Sequence, residues 1–196
     1  MNEQTSTVLR RLEEEDRRDR EDGTPQALRL RSVSPEVWQF LQLLVKIAGA
    51  RRILEIGSSG GYSTIALASA ARETGGCVTT LEIDPAKIER AGRNLAEAGF
   101  DDLVTIREGD ALQALPGLDG PFDMIFLDFE KALYLEALNP LVDLLRPGGL
   151  LVADNLLSHA EDLAAFRQAA ESHPQLECLL VPIPRGELLC RKTSGG

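Results

Sequence analysis

The stretch Arg52-Ile53-Leu54-Glu55-Ile56-Gly57-Ser58-Ser59-Gly60-Gly61-Tyr62-Ser63-Thr64 limits what this chain can fold into more than any other. Ile53, Leu54 and Ile56 suit a strand buried on both faces, as the strands of parallel sheets are. Gly57, Gly60 and Gly61 then permit a tight turn and let a ligand approach bare backbone. The residues 62–71 read as the helix that follows. A second apolar run, Val78-Thr79-Thr80-Leu81, closes on Glu82, 25 residues after Gly57. That is about where an α/β cofactor site places the carboxylate that holds ribose hydroxyls. One glycine turn and two acids, Glu55 and Glu82, therefore point to an adenosine-containing cofactor, with NAD and S-adenosylmethionine (SAM) both open.

The rest of the chain repeats the alternation. Strand candidates at 78–82, 104–107, 122–128 and 150–154 are followed by helix candidates at 85–98, 111–115, 132–145 and 160–172. This is the βαβ rhythm of a parallel sheet with helices on both faces. The ending departs from it. Two further strand candidates, 176–181 and 187–191, are separated only by Pro182-Ile183-Pro184-Arg185-Gly186. A connection this short requires an antiparallel pair, because a parallel crossover needs a dozen or more residues. The expected fold is α/β and Rossmann-like: a mostly parallel seven-stranded sheet that ends in an antiparallel hairpin. Ahead of it, Ser34-Pro35-Glu36 resembles a helix start, Val37, Phe40, Leu41, Leu44, Val45 and Ala48 follow at helical spacing, and Gly49 supplies the stop. Residues 5–22 are dense in Arg, Glu and Asp with apolar side chains at Val8, Leu9 and Leu12. They read as a solvated helix with a narrow docking stripe, ended by Gly23-Thr24-Pro25. The domain expectation is a charged N-terminal helix over 1–24 and one main domain over 25–196.

Composition narrows the function classes. At 196 residues and 43% hydrophobic the chain can bury a sizeable core as one domain. No apolar run approaches the roughly 20 residues that span a bilayer. Met1-Asn2-Glu3-Gln4 lacks a basic-then-apolar signal, and a cytoplasmic protein is expected. A net charge of −10 counts against non-specific binding to nucleic acid or anionic membrane. Cys77, Cys178 and Cys190 are odd in number and lie in strand-like apolar contexts, so buried reduced thiols are expected rather than a disulfide or metal site. His159 and His173 read as surface or cap residues, with His159 close enough to Asn155 to reach an acceptor pocket.

A second constellation carries the chemistry. Asp128-Phe129-Glu130-Lys131 closes one strand candidate and Asp154-Asn155 closes another. If those strands are neighbours, their carboxyl ends lie about 4.8 Å apart, at the sheet edge where open α/β folds bind ligands. Two carboxylates and an amide oxygen form a hard, all-oxygen set suited to Mg²⁺, with Ca²⁺ or Mn²⁺ as alternatives, and without imidazole or thiolate they argue against zinc. Lys131 would project into the same pocket, where a nearby cation favours its neutral form and fits it to accept a proton.

With these residues in place the chain, from about Leu28 to Lys192, resembles the metal-dependent class I SAM methyltransferases of the catechol and caffeoyl-CoA O-methyltransferase type, in their compact bacterial form. The resemblance implies that Glu55, Gly57, Ser59 and Ser63 line the methionine part of the cofactor, with Tyr62 packed beside it. Glu82 would bind the ribose hydroxyls, Ile83 cover the adenine, and Asp110 and Ala111 edge its ring. Asp128, which also borders the cofactor, matches a metal ligand together with Asp154 and Asn155, and Lys131 matches the catalytic lysine. Pro147-Gly148-Gly149 matches the turn before the strand that carries Asp154. A homodimer is implied as well. The chain departs from the family where Phe129 and Glu130 replace Ala and Asp, and where Trp38 replaces a glycine and would narrow the cofactor or acceptor entrance. It departs again where Ala137 leaves a tyrosine-spaced motif half kept after Tyr134. After Asn155, residues 156–160 are expected to enter a helix almost at once, without the long acceptor-binding insertion of the plant enzymes.

The implied activity is methyl transfer from SAM to one hydroxyl of a small, catechol-like acceptor, with a divalent cation and a lysine base. Three other readings stand beside it: a nicotinamide oxidoreductase, a cofactor-binding protein without catalysis, and methyl transfer to a hydroxyl on a modified RNA base. The first misses the dinucleotide spacing Gly-x-Gly-x-x-Gly, because Ser59 occupies the second glycine position.

Overall fold

The computed structural model describes residues 3–25 and 29–194; Met1, Asn2 and Leu28, where the resemblance begins, lie outside them. The strands are β1 (Arg52–Ile56), β2 (Cys77–Glu82), β3 (Val104–Glu108), β4 (Phe122–Leu127), β5 (Leu145–Ala153), β6 (Leu176–Val181) and β7 (Glu187–Lys192). The helices are α1 (Glu3–Glu21), α2 (Pro35–Ala48), α3 (Tyr62–Thr74), α4 (Pro85–Ala98), α5 (Ala111–Ala114), α6 (Tyr134–Leu144) and α7 (Ala164–Glu171). The strands form one sheet in the order β3-β2-β1-β4-β5-β7-β6. Neighbours from β3 to β5 pair in parallel, while β7 runs antiparallel to both β5 and β6. The chain winds outward from β1 to β3, returns to β4 beside β1, and winds out the other way. The reversal opens a crevice between the carboxyl ends of β1 and β4.

Strand periodicity explains the two-layer core. In β4, Met124 and Phe126 face a buried cluster built with α1, α2 and α3, while Ile125 and Leu127 face another built with α6 and α7. An unbroken apolar run is what a strand covered on both faces needs. Helix boundaries follow from capping chemistry. Ser34 accepts the Val37 N–H at 3.3 Å with Pro35 in the first turn of α2, and Asp84 does the same for Ala86 at 2.9 Å with Pro85 at the start of α4. Gly49, at φ +60°, ends α2 in the left-handed conformation that favours glycine.

The charged helix α1 docks by its expected stripe. Val8, Leu9 and Leu12 are buried in the same cluster as Ile53 and Met124 of the sheet. Arg11 reaches Asn94 at 3.1 Å on α4, and Arg90 of α4 pairs with Glu15. Asp16 and Asp19 accept the backbone N–H groups of Ser32 and Leu30 at 3.0 and 3.1 Å, which pins the segment leading to α2 against α1.

Three local expectations are corrected. Strand β5 starts at Leu145, so Arg146-Pro147-Gly148-Gly149 is an irregularity inside the strand and not a turn before it. Register passes from Phe122↔Leu145 to Met124↔Leu150, and β5 bulges. Residues 156–163 make turns, and helix begins only at Ala164. The N–H groups of Leu156, Leu157 and Ser158 are taken by the carbonyls of Gly186 and Arg185, which holds the segment against the hairpin loop. Cys178 and Cys190 are paired as a disulfide across the β6–β7 register, which sets them directly opposite one another; Cys77 is exposed at the first position of β2. Among the described residues no helix is long and apolar enough to cross a membrane.

Candidate active site

The site is built on successive strand ends. The N–H of Gly57 bonds to Leu81 O at 2.9 Å, that of Asp128 to Ile56 O at 3.0 Å, and that of Asp154 to Leu127 O at 3.0 Å. Each residue just past a strand is thus locked to the neighbouring strand, and β4 and β5 are neighbours. Gly57 has φ +97°, and a Cβ there would collide with the Asp128 carbonyl oxygen. Only glycine lets the β1 turn and the β4 end approach this closely.

A cavity of about 270 Å³ follows the glycine turn, and its wall includes Gly57, Ser59, Tyr62, Ser63, Glu82, Ile83, Asp110, Ala111 and Asp128. Glu82 accepts Ser59 N–H at 2.9 Å through one oxygen, and Ile83 and Asp84 N–H at 2.9 and 3.1 Å through the other. This fixes the carboxylate at the end of β2 and leaves about one lone-pair site, on the oxygen that accepts from Ser59, for a ligand hydroxyl. Asp110 is the N-cap of α5 and accepts Leu112 N–H at 2.8 Å. Ile83 is 64% exposed and lines the cavity as an apolar side chain. Ser59, at φ +46°, donates its hydroxyl to Leu30 O and ties the turn to the N-terminal segment.

Glu55 is placed differently from the other nine cofactor candidates. It is fully buried beneath the turn, where Ser63, Thr64 and Thr80 donate to it at 2.6, 2.5 and 2.7 Å. Burial pushes its carboxyl up to about 7 against the pull of those three hydroxyls, and Asp128 adds to the rise. It holds Ser63 at the cavity wall and is not part of the wall itself. Trp38 lines neither this cavity nor the next; it packs in the core with α2, so the entrance is not narrowed by it.

A second cavity, of about 180 Å³, shares Asp128 and Arg31 with the first. Its floor brings together Asp128, Lys131 and Asn155, and Ser158 and His159 form one side. Lys131 is 7% exposed and donates to Asp128 Oδ1 at 2.6 Å, Phe129 O at 2.9 Å and Tyr134 Oη at 3.4 Å. Asn155, at φ +78°, donates through Nδ2 to Asp128 Oδ1 at 3.0 Å, and its Oδ1 accepts from Ser158 at 3.2 Å. Asp154 lies beneath: Oδ1 accepts Asn155 N–H at 2.6 Å, and Oδ2 is buried without a partner. Burial above all, and then Asp128, pushes Asp154 up to about 6. Tyr134 supports this floor, donating to Leu127 O at 3.0 Å while it stacks on Phe129 and meets Phe166 edge-on.

Two features went unread in the sequence. Glu187, at the start of β7, is fully buried with neither carboxylate oxygen partnered, and it faces Asp154. Its only signal was an acid opening an apolar strand, Glu187-Leu188-Leu189-Cys190. Arg20, Arg29, Arg31 and Arg185 line the second cavity, and Arg31 lines the first as well. They come from four places in the chain and share no spacing.

Sheet order, terminal hairpin and a cofactor cavity at the switch point together define the Rossmann-like class I methyltransferase fold. The O-methyltransferase family model matches residues 4–193, and the chain belongs to that family. It is 45% identical over 130 residues to a catechol O-methyltransferase of Niastella koreensis, which covers 64% of this chain and 58% of that protein. It is 38% identical over 162 residues to a catechol O-methyltransferase of Mycobacterium tuberculosis, which covers 76% of this chain and 73% of the relative. The chain thus spans less than two thirds of the first relative's length. The O-methyltransferase TomG of Streptomyces achromogenes, solved in complex with SAM, superposes with a TM-score of 0.82 at 30% identity, over 99% of this chain and 91% of that one. These likenesses place the chain among the O-methyltransferases, and the nicotinamide reading falls away.

Proposed function

We propose that this enzyme methylates one hydroxyl of a vicinal diol on a small catechol-type acceptor, with a divalent cation held by Asp128, Asp154 and Asn155 and with Lys131 as the base. The observation that carries the reading is the position of Asp128, which borders both the cofactor cavity and the smaller cavity that holds Lys131 and Asn155. A group held over Asp128 therefore lies at the junction of donor and acceptor. Gly57, Ser59, Tyr62 and Ser63 would surround the methionine end of SAM, Glu82 its ribose hydroxyls, and Ile83, Asp110 and Ala111 its adenine.

The oxygen donors suit a hard cation. Asp154 Oδ2 is a buried carboxylate oxygen without a partner, and the neighbouring donors are a second carboxylate and an amide. Among the described residues no group of three or more His, Cys, Asp or Glu side chains is placed to hold a metal ion, so the reading rests on two carboxylates and one amide. When bound, a divalent cation would lower the pKa of an acceptor hydroxyl and orient a chelating pair of oxygens. SAM supplies an already activated methyl group, so the protein's main tasks are alignment and exclusion of water. Lys131, once its amine is neutral, would take the hydroxyl proton at Nζ, and Asp128, Phe129 O and Tyr134 Oη would accept from the ammonium that forms. Phe129 O and Tyr134 Oη fix the amine's direction, and Tyr134 is itself held by stacking on Phe129.

Methyl transfer to catechol, followed with and without EDTA and in Lys131→Ala, tests this. The expected result is loss of activity in EDTA that Mg²⁺ restores. Turnover in Lys131→Ala should fall by about a hundredfold or more while SAM affinity measured by calorimetry stays within about threefold. Full turnover in Lys131→Ala would remove the lysine from the mechanism, and EDTA-resistant activity would remove the cation.

A further inference from the structure

Four of the groups around the acceptor cavity are guanidiniums in a chain whose net charge is −10. With Lys131 the wall carries five cationic side chains and one carboxylate, Asp128. Lys131 is already paired with that carboxylate. Arg20 is engaged by Asp16 at 2.8 Å, and Arg29 donates through Nε to Thr24 O at 2.7 Å, which leaves its terminal nitrogens free of that contact. The side chains of Arg31 and Arg185 have no hydrogen-bond or ion-pair partner among the described residues. The buried acids Asp154 and Glu187 feel the charge of Arg185 but neither is hydrogen-bonded to it.

The backbones that present these arginines are held in place. The segment carrying Arg29 and Arg31 is pinned to α1 through Asp16 and Asp19. Arg185, at φ +70°, offers its carbonyl to Leu157 and Ser158 N–H at 2.8 and 3.0 Å, so the hairpin loop and the 156–158 segment hold each other. Unpaired guanidiniums on fixed backbone around a small cavity form a receptor for an anion, because their planar forks match carboxylate and phosphate oxygens. A volume of about 180 Å³ suits a single ring with a short arm.

Resting on the catechol-type reading above, we infer that the natural acceptor is a monocyclic vicinal diol bearing an anionic group, carboxylate or phosphate, which Arg29, Arg31 and Arg185 bind while the diol faces Asp128, Lys131 and Asn155. The arginines set acceptor specificity and take no part in methyl transfer.

Three acceptors that share the 3,4-dihydroxyphenyl ring separate the possibilities: 3,4-dihydroxybenzoate, its near-isosteric neutral amide 3,4-dihydroxybenzamide, and 3,4-dihydroxybenzylphosphonate. At low salt the wild-type enzyme should favour at least one anion over the amide by about tenfold or more in kcat/KM, and which anion leads identifies the group. Arg185→Asn, chosen because Asn tolerates a left-handed backbone, and Arg29→Ala should each reduce that anion-to-amide ratio by about tenfold, mainly through KM. An equal response to all three acceptors, or a ratio unchanged in both variants, would overturn the inference. If none of the three is methylated, the catechol reading itself fails. Calorimetric binding of the anions and the amide to the SAM-loaded enzyme then still decides whether the cavity selects for charge.

Discussion

Glu187 makes a quantitative test of the acid pair beneath the site. It and Asp154 are fully buried and face each other, and with both ionised neither could donate to the other. Burial, followed by the charge of Asp154, pushes Glu187 from an ordinary 4.5 up to about 11. A proton on Glu187 turns the pair into donor and acceptor. The unfolded chain releases that proton above about pH 4.5 while the folded chain keeps it, so the folded state binds the extra proton and stability falls as pH rises through this window. One retained proton gives a slope of about −1.4 kcal/mol per pH unit, so stability should fall by roughly 2 to 3 kcal/mol between pH 7.5 and 9.5. That interval lies above Asp154, at about 6, and Glu55, at about 7, so their contributions have already been spent. Glu187→Gln keeps the shape, donates an amide hydrogen to Asp154 Oδ2 and carries no titrating proton. Urea unfolding of EDTA-treated protein at pH 7.5, 8.5 and 9.5 should therefore give a stability loss in the parent chain that is reduced by most of that amount in Glu187→Gln. Parallel stability profiles for the two proteins would refute the protonated pair.

Two further perturbations probe the cofactor side. Gly57→Ala places a Cβ against the Asp128 carbonyl at φ +97° and should lower stability by about 2 kcal/mol or more and abolish measurable SAM binding; thermal unfolding and calorimetry like those of the parent would contradict the close approach of β1 and β4. Glu82→Ala removes the acceptor of three backbone N–H groups together with the expected ribose contact, and SAM affinity should fall by about tenfold or more. Glu82→Gln should fall in between, because its one carbonyl oxygen replaces only part of that acceptor capacity.

The residues legible in advance are those whose chemistry is tied to a strand end. Gly57, Glu82, Asp128 and Asp154 each stand one step past, or at the close of, an apolar run, and a parallel sheet brings all such ends to one edge. Local pattern sufficed there because the backbone pairing that gathers them is the same pairing that the apolar runs announce. The cation-site reading needed one additional fact, that β4 and β5 are neighbours. The fold supplies it through the Leu127↔Ala153 register. Glu55 shows the limit on the same strand. Its type and position read as a cofactor contact, yet strand alternation turns it into the layer beneath, against Thr64 and Thr80.

The sequence by itself determined the parallel alternation, the terminal hairpin, the glycine turn and the run of acids at strand ends, because each rests on spacing within a few residues. Only the tertiary structure decided the rest: the Cys178–Cys190 bond, the Asp154–Glu187 pair and the ring of Arg20, Arg29, Arg31 and Arg185. Their members are separated by 12, 33 and up to 165 positions, too far for any local pattern to relate them. They meet because β7 is inserted antiparallel beside β5 and because α1 clamps the segment before α2, and both placements are set by burial of apolar faces across the whole sheet.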